Sequence, residues 1–233
     1  MSQEIVVERF FETLISGSRP GARQVVQECR DSGVDATRLV TDLFWPTYEM
    51  IERLYRSDQL TKVSHHLSTR LLRVLVDQNA LLLSKQTSRN RSIFAMCGPR
   101  DSDELGAQMA VDLLEQAGFD VSFAGGNIPN DEVLAIVHEN KPDVLLTFAT
   151  GANDLPEIRN LIDTLHEIGA CPNLQIVVGG GVFNRAEGLA EEIGADLWAS
   201  TPLELVQAMI GQSTRRAEQE QRTVGRKRKL KVA

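Results

Sequence analysis

Of the four histidines in this chain, two are neighbours, His65 and His66. Imidazole is a common metal ligand and titrates near physiological pH, so this pair is the most informative polar feature. Successive helix positions point about 100° apart, so only one of the two can squarely face a packed neighbour. His138 and His166 fall on other predicted helices without ligand spacing, which argues against a zinc site. A second polar group, Asp101-Ser102-Asp103-Glu104, follows an apolar run and leads to Leu105 and Gly106. Such oxygens accept from the orphan N–H groups of a first helical turn, so Asp103 reads as a helix cap beside Asp101. Gly179-Gly180-Gly181 closes another apolar run. It suits a backbone approached closely by something flat or bulky, or a turn needing positive φ. Thr147, Ala149 and Thr150 end a third run, either as an ordinary strand end or as a pocket wall. No Gly-x-Ser-x-Gly, P-loop or Cys-x-x-Cys occurs, and the many carboxylates read as solvated helix faces.

The elements that would position these residues fall into two sets. Residues 3 to 90 carry helical spacing: Ile5, Val6, Phe10, Phe11, Leu14 and Ile15 first, then Ala22 to Asp31. A third stripe starts after Asp35, and Pro46 restarts or kinks it. A long helix is expected from about Leu60 to Ser84. Short connections among these helices favour an antiparallel, four-helix-type bundle. The polar stretch from Ser84 to Arg91 reads as a mobile linker. Strands are then expected at 93–97, 121–124, 144–149, 175–178 and 197–199. Helices are expected at 103–117, 130–140, 154–168, 184–193 and 202–211. This alternation predicts an α/β, Rossmann-like (flavodoxin-like) five-stranded parallel sheet. The organisation expected is 1–90 helical cap, 91–212 sheet domain and 213–233 a basic, disordered tail.

Hydrophobic content of 42% and charged content of 24% are ordinary for a globular chain. The net charge is −7, yet the last 21 residues alone carry +6, leaving −13 on the remainder. An acidic body does not attract a phosphate backbone, so direct DNA contact is confined to the tail with its Arg226-Lys227-Arg228-Lys229 cluster. Three cysteines lack pair spacing, and Cys97 reads as core. No basic leader and no ~20-residue apolar run are seen. A cytoplasmic protein is the simple expectation.

Asp101-Ser102-Asp103-Glu104-Leu105-Gly106 falls where cobalamin-binding domains carry Asp-x-His-x-x-Gly. The likeness runs on through Ala117 to Val121, Asn127-Ile128-Pro129, Val178-Gly179-Gly180 and Ile193 to Asp196. The segment resembles the vitamin B12-binding fold, with Asp103 standing where a family histidine ligates cobalt from below. The helical half resembles the cap of light-sensing and methyltransferase cobalamin proteins. Their Trp, nine residues, Glu-His motif reads here as Tyr55, nine residues, His65-His66, and the cap's Gly is Glu52. The resemblance implies a cobalamin, or another tetrapyrrole such as haem, between cap and sheet. It assigns Tyr55, His65, His66, Asp101, Ser102, Asp103, Gly106, Thr147, Ala149, Thr150, Gly179, Gly180 and Gly181 to cofactor binding, with His66 as upper cobalt ligand. The family's nucleotide tail passes the Gly179 turn, and its base pocket carries Ser-x-Leu where this chain has Thr147-Phe148-Ala149. Phe148 or a core residue would fill the space that Ala149 leaves.

The first function implied is a non-enzymatic sensor or regulator, photoreceptor-like, acting on a regulatory protein partner in signalling or transcription. Alternatives are a corrinoid carrier protein of a methyltransferase system and a cofactor-free interaction scaffold. No membrane partner is expected, and a homo-oligomer stays open. Cap and sheet are expected to meet across the strand carboxyl ends, with Tyr55 and His66 near the loops after Cys97, Ala149 and Val178.

Overall fold

A computed structural model describes residues 3–99, 101–169 and 171–217, the side chains of 101 and 102 excepted. The helical half comes first. Helix α1 is Gln3–Ile15, α2 Arg19–Asp31 and α3 Ala36–Leu39, followed by a π-helical turn Val40–Phe44, then α4 Trp45–Arg56 and α5 Lys62–Ala80. The starts are set chemically: the side chains of Ser18, Asp35 and Thr61 accept from the backbone N–H of Gly21, Arg38 and Ser64. The break expected at Pro46 is absorbed by the π turn. Proline has no N–H to donate, and a widened turn relieves the ring's clash with the preceding carbonyls. Thr47 Oγ1 donates to the Leu43 carbonyl at 2.7 Å. The long helix ends at Ala80, short of Ser84.

The remainder alternates as expected: β1 Ser92–Cys97, α6 Asp101–Gln116, β2 Asp120–Gly126, α7 Asn130–Asn140, β3 Val144–Phe148, a 3₁₀ turn Ala152–Asp154, α8 Leu155–Ile168, β4 Gln175–Gly179, α9 Gly181–Arg185, α10 Leu189–Glu192, β5 Leu197–Ala199 and α11 Pro202–Gly211. All strand pairs are parallel in the order β2-β1-β3-β4-β5. The helix expected at 184–193 is two short ones, because Gly188 adopts φ +78° between them. Alternation along the strands divides the core. Ile93, Ala95, Cys97, Val144, Leu146 and Val177 face a cluster that includes α6, α11 and the helical half. Phe94, Met96 and Leu145 face α7 and α8, while Ile176 and Val178 pack with α8, α9 and α10.

One continuous core therefore joins the two halves: Phe10, Phe44, Tyr48 and Leu72 pack in the same cluster as Leu105 and Met109. Polar ties flank it, Gln108 to Asp77 at 2.6 Å and Gln116 to Thr37 at 2.6 Å. The stretch expected to be a mobile linker is stitched down. Gln86 N–H donates to Gln116 O at 2.7 Å, Arg89 N–H to Gly118 O at 2.8 Å, and the Arg89 guanidinium lies 5.7 Å from the Phe119 ring centre. Composition made this stretch look loose, but its donors meet the otherwise orphan carbonyls at the end of α6. The start of the expected disordered tail is also held. Arg216 donates to Asn173 O at 2.7 Å, and Ala217 N–H to Asp196 at 2.6 Å. Residues 218–233 of that tail lie outside the described residues. Among the described residues, no helix is long and apolar enough to cross a membrane.

Candidate functional site

The carboxyl ends of β1, β3 and β4 lie under the helical half, where an open α/β sheet places its ligands. Above them, α4 and α5 run close to the start of α6. A cleft of ≈ 760 Å³ opens there, lined by Glu52, Tyr55, Arg56, Asp58, His65, His66, Thr69, Arg70, Arg73 and Glu104. Arg73 bridges it to Glu104 at 3.2 Å, joining the two halves.

The centre of this cleft is a paired carboxylate and imidazole. His65 Nε2 lies 2.7 Å from Glu52 Oε1, both residues being buried. Tyr55 stacks on the His65 ring at 3.9 Å and 19°. His65 Nδ1 has no hydrogen-bond partner. A carboxylate on one ring nitrogen fixes the tautomer and the ring's orientation, while Nδ1 is itself buried. His66 is exposed, its ring 6.0 Å from that of His65 and nearly perpendicular. The sequence reading placed His66 over the ligand. The structure puts both histidines in the cleft wall and gives the fixed partner to His65. Glu52 was missed as a functional residue. It stands where the cap's glycine is expected and bonds to the histidine that stands where the cap's glutamate is expected. Two departures from one motif that can pair chemically were the available signal.

Below the cleft, Asp101 and Ser102 begin α6 and Asp103 lies in its first turn. The Asp103 residue is 2% exposed. Its Oδ2 lies 2.6 Å, and that of Asp154 3.2 Å, from the position a Cβ at Gly98 would occupy. Asp103 is thus a buried carboxylate inside the turn rather than a cap preceding it. Thr147 and Ala149 are buried at the end of β3, as is Thr150, whose carbonyl accepts from Arg185 at 2.6 Å. Cys97, at the end of β1, is 3% exposed, and burial pushes its thiol up to about 12. It is expected to resist alkylation at pH 8 until the protein is unfolded. Labelling before and after denaturant, read by mass spectrometry, checks this.

Gly106, Gly179, Gly180 and Gly181 come together in a narrow slot with Ala107, Ala110 and the start of α11. The slot's open volume is ≈ 40 Å³. Tyr48 enters it so far that its hydroxyl is 2.8 Å from where a Cβ at Gly106 would be, and the Phe148 ring is 2.9 Å from that of Gly179.

A family model described as a B12 binding domain matches residues 91–207, half of the chain, and a second of the same description matches residues 6–78. The chain belongs to the B12-binding domain family. It is 29% identical over 106 residues to dimethylamine corrinoid protein 1 of Methanosarcina acetivorans, covering 46% of this chain and 49% of that one. It is 28% identical over 106 residues to dimethylamine corrinoid protein 3 of Methanosarcina mazei, covering 62% of that protein. The chain thus spans about half the length of the first of these relatives. The solved Methanosarcina barkeri monomethylamine corrinoid protein superposes with a TM-score of 0.79 at 16% identity, over 90% of this chain and 99% of that one. Its likeness is one of fold.

Cobalamin is accordingly the cofactor of this chain's family, as the resemblance implied. The residues present fit it unequally. The ≈ 760 Å³ cleft, with its tautomer-fixed imidazole and three arginines, is of the size and chemistry of a ligand site. The ≈ 40 Å³ slot is not. The relatives' names are those of corrinoid proteins, which favours the carrier reading over the sensor and regulator reading.

Proposed function

We propose that the chain is a corrinoid-binding carrier protein that serves a methyl-transfer partner, with a cap of residues 1–90 over a cofactor domain of residues 91–212. The observation that carries this is the Glu52–His65–Tyr55 assembly lining a roomy cleft between α4, α5 and the start of α6. The relatives' names add the substrate class, methylated amines, as the source of the group moved. When bound, the corrinoid supplies a metal centre that accepts and gives up a methyl group.

The chain's own residues do the rest. Glu52 accepts from His65 Nε2–H and so holds the imidazole at a fixed orientation in the cleft wall. Tyr55 shields the ring face. Arg70 and Arg73 provide donors for the amide-rich rim of a corrinoid. Asp103 would offer a bound corrinoid only a hard oxygen at the position of the family's histidine, and a nitrogen donor would suit the metal better. A corrinoid held here would receive no imidazole from this loop.

Titration of the purified full chain with aquocobalamin and, separately, with haem tests the reading by absorbance. One-to-one cobalamin binding is expected. His65→Ala should weaken it by about tenfold, roughly 1.4 kcal/mol, and His66→Ala by less. Exclusive binding of haem, or of nothing, would sink the proposal.

A further inference from the structure

We propose that this chain holds a corrinoid by its ring alone, the slot that could take a nucleotide tail being closed by the protein's own aromatic side chains. This rests on the carrier reading above and concerns which corrinoids the same site accepts.

The slot has the walls for a close approach. Glycines at 106, 179, 180 and 181 and alanines at 107 and 110 keep both sides low. Low walls can serve a ligand or another part of the same chain, and here they serve the chain. Tyr48, 6% exposed, stands with its hydroxyl over Gly106. Its ring packs against Trp45 with centres 5.4 Å apart, and it belongs to the core shared by the two halves. Phe148, 7% exposed, covers Gly179 from the β3 side. The ≈ 40 Å³ that remains is room for roughly three waters and far too little for an aromatic base. Vacating it would require two packed aromatics to leave a common core, and each would then face water.

The floor points the same way. An inserted tail leaves the metal's lower position to the protein. Asp103, one residue before Glu104 of the cleft wall, and Asp154 both converge on Gly98. Carboxylates so placed are poor substitutes for a nitrogen ligand on this metal. A cobalamin bound in the cleft therefore keeps its own base coordinated. A corrinoid that lacks the nucleotide loses nothing by lacking it.

The test uses the purified full chain, titrated with aquocobalamin and with diaquocobinamide, the nucleotide-free corrinoid. Affinities within about threefold are expected, and bound cobalamin should keep the absorbance of the form coordinated by its own base. The double variant Tyr48→Ala, Phe148→Ala is expected to open the slot and shift preference toward cobalamin. The wild-type spectrum decides the matter even if that variant does not fold. A base-displaced spectrum in the wild type, or cobalamin preferred by about tenfold or more, overturns ring-only binding and leaves the carrier reading intact. Binding of neither corrinoid overturns both.

Discussion

Gly180→Ala should lower the unfolding free energy by roughly 3–5 kcal/mol, the largest effect expected of any single methyl group in the site. Gly180 adopts φ +103° and ψ 163°, a region open almost only to glycine. A Cβ there would press on the carbonyl oxygen of Ala149 and lie 2.9 Å from Ala149's own N and C atoms. Ala149 is fully buried, and its N–H donates to Gly179 O at 2.9 Å, so it cannot retreat without breaking the β3–β4 ladder. Gly188→Ala is the control. Its φ of +78° is also left-handed, but nothing lies within 4 Å of the added methyl. That variant should lose only about 1–2 kcal/mol, the backbone penalty alone. Urea denaturation of both variants measures the difference. Equal losses would mean that the turn after β4 can shift freely.

The sheet was readable because its central strands β1, β3 and β4 are buried on both faces. Ile93–Cys97 and Gln175–Val178 show up as apolar runs, and Gly-rich turns mark their carboxyl ends. The helix periods were readable where a helix buries one face only, as α2 and α8 do. What composition misjudged were segments whose order comes from backbone partners. Gln86 and Arg89 look like a loose linker, yet their amides meet the end of α6. Ser213 to Ala217 looks like tail, yet Arg216 and Ala217 reach Asn173 and Asp196. Side-chain composition carries no record of which carbonyl lies opposite which N–H.

The candidate site was half readable in the same sense. The resemblance pointed to Tyr55, His65 and His66 of the cleft, while Glu52 and the pairings were missed. Glu52 and His65 are 13 positions apart on two helices, and only the crossing of α4 and α5 makes them a pair. Tyr48 belongs to an ordinary apolar stripe, and nothing in that stripe says its hydroxyl reaches Gly106. A motif glycine shows that space is needed there. It does not show whether the occupant is a ligand or a tyrosine from the same chain.

The stability of the protein should fall as pH rises from about 5 to 8, and Asp112→Asn should remove much of that fall. Asp112 lies on α6, its Oδ2 is buried without a partner, and burial first, then the like charges of Glu115 and Asp77, push its carboxyl up to about 7. Asp77 faces it from α5 and already accepts from Gln108 at 2.6 Å. A folded carboxyl that titrates above its unfolded counterpart binds the extra proton between the two values. Its stabilising contribution is therefore complete below about 4 and is lost as pH climbs through about 7. At roughly 1.4 kcal/mol per pH unit the interval from 3.8 to about 7 caps the effect near 4 kcal/mol, and partial exposure brings it to about 2. Asparagine carries no charge to expel, so the variant should match the wild type near pH 4 and exceed it by about 2 kcal/mol at pH 8. Denaturation midpoints at a series of pH values read this directly. A variant less stable than the wild type at pH 8 would show that the ionised carboxylate is instead satisfied at the α5–α6 interface.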